Sequence, residues 1–206
     1  VTLAPQIAQI CRRIECAYPT ICEITPSYTS ILVETRSLHT DLDHLGQQLL
    51  ELARRSVESP DEGIPGKCID LPAYYDPEVG PDLEKVARHA GLCVDEVIRI
   101  HSSHEYTVCA IGFAPGFDYL AEVDKRIAVP RHPNPRSQVP AGSVAIADTQ
   151  TAVYPQASPG GWHLIGNCPR PLYNPAQASP CFFEVGDRVR FVPIDRASFI
   201  QRGGRV

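Results

Sequence analysis

The beginning of the chain has apolar side chains at helical spacing. This pattern stops near Pro19, where a helix cannot continue. The residues on the apolar face are Leu3, Ile7, Ile10, Cys11 and Ile14. A period of 3.6 residues with one apolar face predicts an amphipathic helix.

Two short β-like runs follow this helix. They cover residues 21–25 and 29–34, and Pro26 and Ser27 separate them, which predicts paired strands around a turn. A second helix then begins, with Thr40 as its N-cap and Asp43 reaching back in a shortened capping box. The side chains expected to face inward from this helix are Leu42, Leu45, Leu49 and Leu52.

A loop rich in Pro and Gly, residues 59–66, leads into an extended segment at 67–74. The order helix, strand, strand, helix, strand is that of a ferredoxin-like (split βαβ) unit without its opening strand. We therefore predict an α+β protein with a ferredoxin-like domain over residues 1–72. Because the sequence contains no Met, even at position 1, we expect the natural protein to begin upstream of Val1.

Between residues 80 and 103 the pattern predicts two short helices. Gly91 is the expected stop of the first, because a left-handed C-cap favours glycine. The inward positions are Leu83, Val86, Ala87 and Ala90 in the first helix, and Val94, Val97, Ile98 and His101 in the second.

The remaining chain has short β-like runs at 106–112, 143–147, 181–185 and 188–192. Eleven of the 20 prolines lie between Pro115 and Pro180, which excludes long helices there. This pattern of short β-like runs between prolines predicts a compact β-barrel with long functional loops. We therefore predict a second domain over residues 73–206, which begins with the two short helices.

Composition narrows the class of protein. The net charge is −5 and no cluster of Lys and Arg is present, which argues against a nucleic-acid partner. No apolar run approaches the roughly 18 to 20 residues of a membrane span, and no signal-peptide pattern is present, so we expect a cytoplasmic protein. The eight cysteines include no C-x-x-C pair, so we expect mostly reduced core residues and no metal site.

Candidate chemistry concentrates in four segments of the second half. Each places Gly or Pro beside an aromatic residue, Arg or His, and such loops present polar groups preorganised. The segments are GFAPGFDYL (112–120), PRHPNPRSQVPAGSVAIA (130–147), QTAVYP (150–155) and SPGGWHLIG (158–166).

These four segments, with GDRVRFVPI at 186–194, resemble the family of KipI and the 5-oxoprolinase B subunits, also called allophanate hydrolase subunit 1. YYDPEVGPDLEKVARHAG at 74–91 also resembles that family, so the resemblance covers roughly residues 20–200. It implies a C-terminal cyclophilin-like β-barrel, similar to a portion of the carboxyltransferase domain (subdomain C/D) of urea carboxylase. Cys93, Asp118, Ala121 and Glu122 depart from the usual family choices, which puts the substrate in doubt.

The resemblance implies a non-autonomous subunit of an ATP-dependent amide or lactam hydrolase, most naturally one that converts 5-oxo-L-proline to L-glutamate. The implied partners are a second carboxyltransferase-like subunit and a LamB/YcsF-type subunit. No P-loop occurs in the sequence, so a partner would hold most of the ATP. Three alternatives remain: an inhibitor that binds a sensor histidine kinase, a subunit of an allophanate hydrolase or urea carboxylase-like carboxyltransferase, and a prolyl isomerase.

Charged side chains supply the candidates for catalysis. Arg131 and Arg136 are the candidate cations, because planar guanidinium groups match carboxylate or phosphate, although either could instead anchor its Pro-rich loop. His163 is the candidate acid/base or substrate-orienting group, with a packed histidine as the alternative. His132 lies between matched positions and is a weaker candidate.

Aromatic and amide side chains supply the candidates for substrate binding. Phe117, Tyr119, Tyr154 and Trp162 could wall a pocket for a small ring, or could be core at one end of the barrel. Gln150 could pair with the edge of a lactam. We expect all these groups to gather in one shared recess. Ser143 is expected to satisfy backbone groups in its turn rather than act as a nucleophile.

Overall fold

The computed structural model describes residues 3–19, 21–35, 40–59, 66–177 and 179–206. The fold is α+β, as predicted. The helices are α1 (Ala4–Ala17), α2 (Leu42–Glu58), α3 (Leu83–Ala90), α4 (Val94–Ser102) and α5 (Arg196–Gln201). The strands are β1 (Ile21–Pro26), β2 (Ile31–Thr35), β3 (Cys68–Ala73), β4 (Glu105–Ile111), β5 (Asp118–Ala121), β6 (Arg136–Val139), β7 (Ser143–Ala147), β8 (Gln150–Val153), β9 (Ser158–Gly160), β10 (His163–Asn167) and β11 (Arg188–Pro193).

The N-terminal unit contains α1, β1, β2 and α2. Strands β1 and β2 pair in antiparallel fashion around a turn, which confirms the predicted hairpin. Helix α1 buries Ile7, Ile10, Cys11 and Ile14 as the apolar spacing predicted, whereas Leu3 precedes the helix and is exposed.

The start of α2 differs from the prediction. Asp41, not Thr40, caps the helix, because its carboxylate accepts a 3.0 Å hydrogen bond from the backbone N–H of His44. Leu42 was expected to face inward but lies in the first helical turn with 67% of its surface exposed. The other predicted inward leucines of α2 are half-buried.

The second half contains a curled sheet of seven strands in the order β10-β7-β8-β5-β4-β11-β3. The two outer strands meet where Tyr74 and Asn167 exchange backbone hydrogen bonds of 2.9 and 2.8 Å. These bonds close the curled sheet at one end. The sheet confirms the predicted cyclophilin-like barrel.

Strand β3 belongs to this larger sheet, since it pairs in parallel with β11 over residues 68–73 and 188–193. The extended segment 67–74 was instead expected to belong to the ferredoxin-like unit. That assignment was wrong. The local sequence pattern predicts a strand, but it does not indicate that the partner strand lies 120 residues further along the chain. The domain boundary at residue 72 stays a prediction.

Several strands lie in segments whose many prolines and glycines had predicted loops. The segments that were expected to be functional loops contain β5, β8, β9 and β10. Strands β6 and β9 pair as a separate small sheet. Conversely, the predicted strand at 181–185 does not form. Only an isolated bridge joins Cys181 to Tyr173, and Phe183 packs into the core instead.

Helices α3 and α4 cover one face of the seven-stranded sheet with the larger hydrophobic core. Helix α3 ends at Gly91, which has the left-handed conformation (φ 66°) predicted for a C-cap. On α4, His101 is buried as predicted, and its ring nitrogens lie 2.7 Å from the Tyr75 hydroxyl and 2.9 Å from Thr151 Oγ1. Burial lowers the pKa of His101 to about 3, so this histidine is neutral and structural.

None of the eight cysteines, all of which lie within the described residues, forms a disulfide. Cys11, Cys109 and Cys168 are buried, whereas four others are exposed, so the expectation that most belong to the core was wrong. Among the helices that the structure describes, none has both the length and the apolar composition needed to cross a bilayer.

Candidate functional site

The predicted aromatic residues form one group, here called the aromatic cluster: Phe117, Tyr119, Tyr154 and Trp162. Phe117 meets Tyr119, Tyr154 and Trp162 edge-on, with ring centroids 4.9, 5.2 and 5.7 Å away. Such T-shaped contacts favour the positive edge of one ring against the negative face of another. The cluster packs against small side chains of the sheet: Ala145, Ala147 and Ala152.

Most of the aromatic cluster is core. Phe117, Tyr154 and Trp162 are at most 5% exposed, which favours the structural alternative for these three residues. Gly160 leaves room for this packing, because a Cβ there would lie 2.3 Å from the Tyr154 hydroxyl oxygen. Burial raises the pKa of Tyr154, so its phenol stays protonated.

The accessible part of the cluster is its rim, which we define as Tyr119, Gln150 and Arg131. The first two are half-buried and Arg131 is exposed. The Arg131 guanidinium carbon lies 5.8 Å from the centroid of the Trp162 ring, within the range of a cation–π contact. The rim therefore combines an aromatic surface, an amide and a cation.

A second group surrounds Asp82 and is here called the Asp82 cluster: Asp82, Lys85, His132, Arg136 and His163. Asp82 immediately precedes α3 and is 4% exposed. Arg136 approaches its two carboxylate oxygens at 2.9 and 2.8 Å, and the backbone N–H of Leu164 donates to it at 2.8 Å. This carboxylate thus joins α3, β6 and β10.

The two histidines of the Asp82 cluster stack with ring centroids 3.8 Å apart. His132 Nε2 lies 3.3 Å from the Asp82 carboxylate, and its Nδ1 lies 3.3 Å from the Lys85 ammonium. His163 Nε2 donates to the Pro130 carbonyl at 2.9 Å, which leaves Nδ1 as an acceptor with no partner among the described residues. His132 Nε2 also lies 3.1 Å from the Arg136 guanidinium, so this imidazole sits beside both members of the Asp82–Arg136 pair.

Burial and the neighbouring groups act in opposite directions on the pKa of Asp82, whereas burial and the charge of His132 act in the same direction on the pKa of His163. Burial alone would raise the pKa of Asp82, but the hydrogen bonds from Arg136, Leu164 and His132 outweigh it and hold the pKa below its ordinary value. Burial, followed by the charge of His132, lowers the pKa of His163, so His163 is neutral at pH 7. This disfavours His163 as a group that exchanges protons.

Asp82, His132 and His163 also offer donor atoms within 4.8 Å of one another, a spacing that metal ligands can have. The Asp82 oxygens, however, already accept from Arg136 and Leu164, and Lys85 adds a further positive charge. A cation would have to displace these donors. The surroundings suit a negatively charged group better than a metal ion.

The predicted site residues thus form two adjacent groups rather than one shared recess. Two pairs of neighbouring residues are divided between these groups. Arg131 and Trp162 lie in or beside the aromatic cluster, whereas the residues that follow them, His132 and His163, lie in the Asp82 cluster. A 2.8 Å hydrogen bond from the His132 N–H to the Gly161 carbonyl holds the two segments together.

Sequence reasoning missed three residues of these groups: Asp82, Lys85 and Tyr28. Asp82 and Lys85 lie in the family-like segment 74–91, which could have identified them. Tyr28 lies in the hairpin turn and contacts the rim, although nothing in the local sequence marks it. Ser143 is buried with its hydroxyl unpartnered among the described residues, so the expectation that it satisfies backbone groups was wrong.

Asp118 is a buried carboxyl on the opposite face of β5 from Tyr119. It is fully buried, and neither oxygen has a hydrogen-bond partner among the described residues. Burial raises its pKa to about 8, and the nearby backbone amides of Asp118 and Val153 only moderate that rise. This residue is thus a neutral acid at pH 7.

Comparisons with known proteins agree with this architecture. Residues 1–183 match the family model described as carboxyltransferase domain, subdomain C and D. The chain is 40% identical to the B subunit of 5-oxoprolinase from Bacillus subtilis over 191 residues, which is 88% of this chain and 79% of that protein. It is also 40% identical to the B subunit of 5-oxoprolinase from Escherichia coli O157:H7, over 94% of this chain and 88% of that protein.

Solved structures show the same fold. A crystal structure of TTHA0988 aligns with a TM-score of 0.79 and 34% identity, covering 93% of this chain but only 37% of that one. Urea carboxylase from Kluyveromyces lactis aligns with a TM-score of 0.72 over 97% of this chain and 20% of that one; at 18% identity this is a likeness of fold alone. On its sequence matches, the chain belongs to the carboxyltransferase subdomain C and D family, together with the 5-oxoprolinase B subunits.

Proposed function

We propose that this chain is a subunit of an ATP-dependent hydrolase that opens 5-oxo-L-proline to L-glutamate. Its relatives are named as one subunit of a 5-oxoprolinase, which supports a role within a multi-subunit enzyme. The partners we propose are a carboxyltransferase-like subunit and a LamB/YcsF-type subunit, and we expect the isolated chain to be inactive.

The observation that carries the proposed substrate is the rim of the aromatic cluster. 5-Oxoproline is a small flat ring with one carboxylate and one lactam amide. Tyr119 offers a partly exposed aromatic surface, Arg131 a cation beside it, and Gln150 an amide that can pair with the lactam edge. Because this rim is open, a partner subunit would have to cover it before water could be excluded.

The Asp82 cluster supports a separate role in the reaction. A lactam is a poor electrophile, and phosphoryl transfer from ATP to its oxygen would make the carbonyl carbon open to attack by water. Arg136 and Lys85 lie where they could stabilise negative charge, and His132, which lies beside Asp82, could move a proton. We place ATP mainly on a partner subunit.

Replacing Arg131 tests the proposed carboxylate contact. Arg131→Met keeps most of the side-chain stem but removes the cation, so we expect KM for 5-oxo-L-proline to rise about 10- to 100-fold, the equivalent of one charge-assisted hydrogen-bonded pair. The value of kcat should change less, because this contact forms in the ground state as well. The measurement is 5-oxoproline-dependent ADP release by the complex reconstituted from all its subunits.

Arg170→Met is the matched control. Arg170 also lies over an aromatic ring, 4.0 Å from the centroid of Phe182, but outside both clusters. Equal effects of the two substitutions would contradict the role of Arg131. If the wild-type complex releases ADP with another lactam or urea but not with 5-oxoproline, the proposed substrate is wrong; retention of a histidine kinase without the partner subunits would favour the inhibitor alternative.

A further inference from the structure

The hairpin of the N-terminal unit reaches the barrel through its turn. The Ser27 N–H donates to the Ser30 carbonyl at 2.9 Å, which closes the turn between β1 and β2 and places Tyr28 at its tip. The Tyr28 hydroxyl meets the side-chain amide of Gln150, the first residue of β8. The tip therefore contacts the rim of the aromatic cluster from a different part of the chain.

The Tyr28 ring continues the aromatic cluster. It lies edge-on to Tyr119, with centroids 6.5 Å apart, and Tyr119 in turn lies 6.0 Å from Trp162. Burial raises the pKa of Tyr28, with Cys109 and Tyr119 adding to the effect, whereas the hydrogen bond to Gln150 and the charge of Arg131 oppose it. The phenol of Tyr28 therefore stays protonated.

The contact also sets the orientation of Gln150. Its amide nitrogen donates to the Tyr28 oxygen, so its carbonyl oxygen is the atom left to accept a hydrogen bond. A lactam presents an N–H that needs an acceptor of this kind. A ketone or lactone of the same ring size has no such donor.

We propose that Tyr28 borders the rim as a binding surface contributed by the N-terminal unit and positions Gln150 to accept a hydrogen bond from the N–H of a bound lactam. The second part of this inference rests on the proposed function, whereas the first part concerns the free protein. The binding site then requires the N-terminal unit as well as the barrel. The protein distinguishes a lactam from a lactone through Tyr28, which lies in the turn between β1 and β2.

The first experiment uses Trp162, the only tryptophan of the chain, as a probe in the absence of ligand. Trp162 is 5% exposed, and Tyr119 separates it from Tyr28. We expect Tyr28→Ala to increase acrylamide quenching of Trp162 in the full chain, and Tyr28→Phe, which keeps the ring, to leave quenching unchanged. Tyr18→Ala is the control, because Tyr18 lines a groove between α1 and α2. Equal quenching in Tyr28→Ala and Tyr18→Ala would overturn the placement of Tyr28.

The second experiment measures ligand binding to the reconstituted complex through Trp162 fluorescence. The probes are 5-oxo-L-proline and the corresponding lactone, 5-oxotetrahydrofuran-2-carboxylate, in which oxygen replaces the N–H. We expect Tyr28→Phe to weaken binding of the lactam about 2- to 10-fold, the range of one neutral hydrogen bond, and to leave binding of the lactone unchanged.

The outcomes separate the two proposals. If Tyr28→Phe weakens both probes equally or neither, Tyr28 does not position Gln150 for the lactam N–H. If the wild-type complex binds neither probe, the proposed substrate fails and the role of Gln150 fails with it. The quenching comparison still decides, in that case, whether Tyr28 borders the rim.

Discussion

Asp118→Asn should make the protein more stable at pH 8 than the wild type, by an amount that vanishes toward pH 4. Asp118 is fully buried without a hydrogen-bond partner among the described residues, and burial raises its pKa from 3.8 to about 8. In the folded protein the carboxyl group must therefore hold its proton through neutral pH. Asparagine has nearly the same shape and carries no charge at any of these pH values.

The direction follows from proton binding in the two states. Between pH 3.8 and about 8 the folded state binds this proton and the unfolded state does not, so the free energy of unfolding falls as pH rises through this window. Because each pKa unit corresponds to about 1.4 kcal/mol, one such group changes stability by roughly 6 kcal/mol across the whole window. The loss is complete once pH exceeds the folded-state pKa.

The measurement is urea unfolding of wild type and Asp118→Asn at intervals from pH 4 to pH 8. The difference between the two proteins at pH 4 serves as the internal control, because it contains only the cost of burying an amide in place of a neutral acid. A difference that stays constant over this range would show that Asp118 is not held neutral in the folded protein.

Asp82→Asn should destabilise the protein by about 3 kcal/mol at pH 7, the usual cost of breaking a buried ion pair from one side. The substitution removes the negative charge and replaces one of the two acceptor oxygens with an NH2 donor, although Arg136, the Leu164 N–H and His132 all contact this carboxylate. Because the folded state lowers the pKa of Asp82, its contribution is present above the ordinary pKa of 3.8 and is lost as pH falls through the folded-state pKa. The destabilisation should therefore shrink in acid.

A double-mutant cycle with Arg136→Met isolates the Asp82–Arg136 interaction. The matched control is Asp70→Asn, which removes one partner of the exposed pair formed with Arg190 at 2.8 Å. That surface pair should contribute little. Additive effects of Asp82→Asn and Arg136→Met in thermal or urea unfolding would contradict the coupling of these two side chains.

Local sequence patterns predicted the helices and strands that depend mainly on residues close to one another in the sequence. Strand β7 matched its predicted range because a run of small and β-branched residues is buried on both faces, and α3 ended where Gly91 allowed a left-handed residue. The pairing of β3 with β11 could not be predicted in this way, because it depends on backbone groups 120 residues apart. Short β-like runs between prolines predicted a barrel, and the family resemblance supplied its cyclophilin-like type.

The candidate site was predicted in part. Motif residues such as Trp162, Arg131 and Arg136 do lie close to polar or aromatic partners. The division of these motif residues into two clusters could not be predicted, because the local sequence does not indicate which side of the backbone each side chain faces. Asp82 was missed because a carboxylate becomes informative only when its partners, 54 and 82 residues further along the chain, are known.

The position of β11 between β4 and β3 has a consequence for synthesis on the ribosome. During translation β3 emerges 120 residues before its backbone partner in the sheet. Until then β3 is an unpaired edge that could join another nascent chain. Chaperone demand during production of this protein should therefore depend on how quickly the segment between these two strands is synthesised.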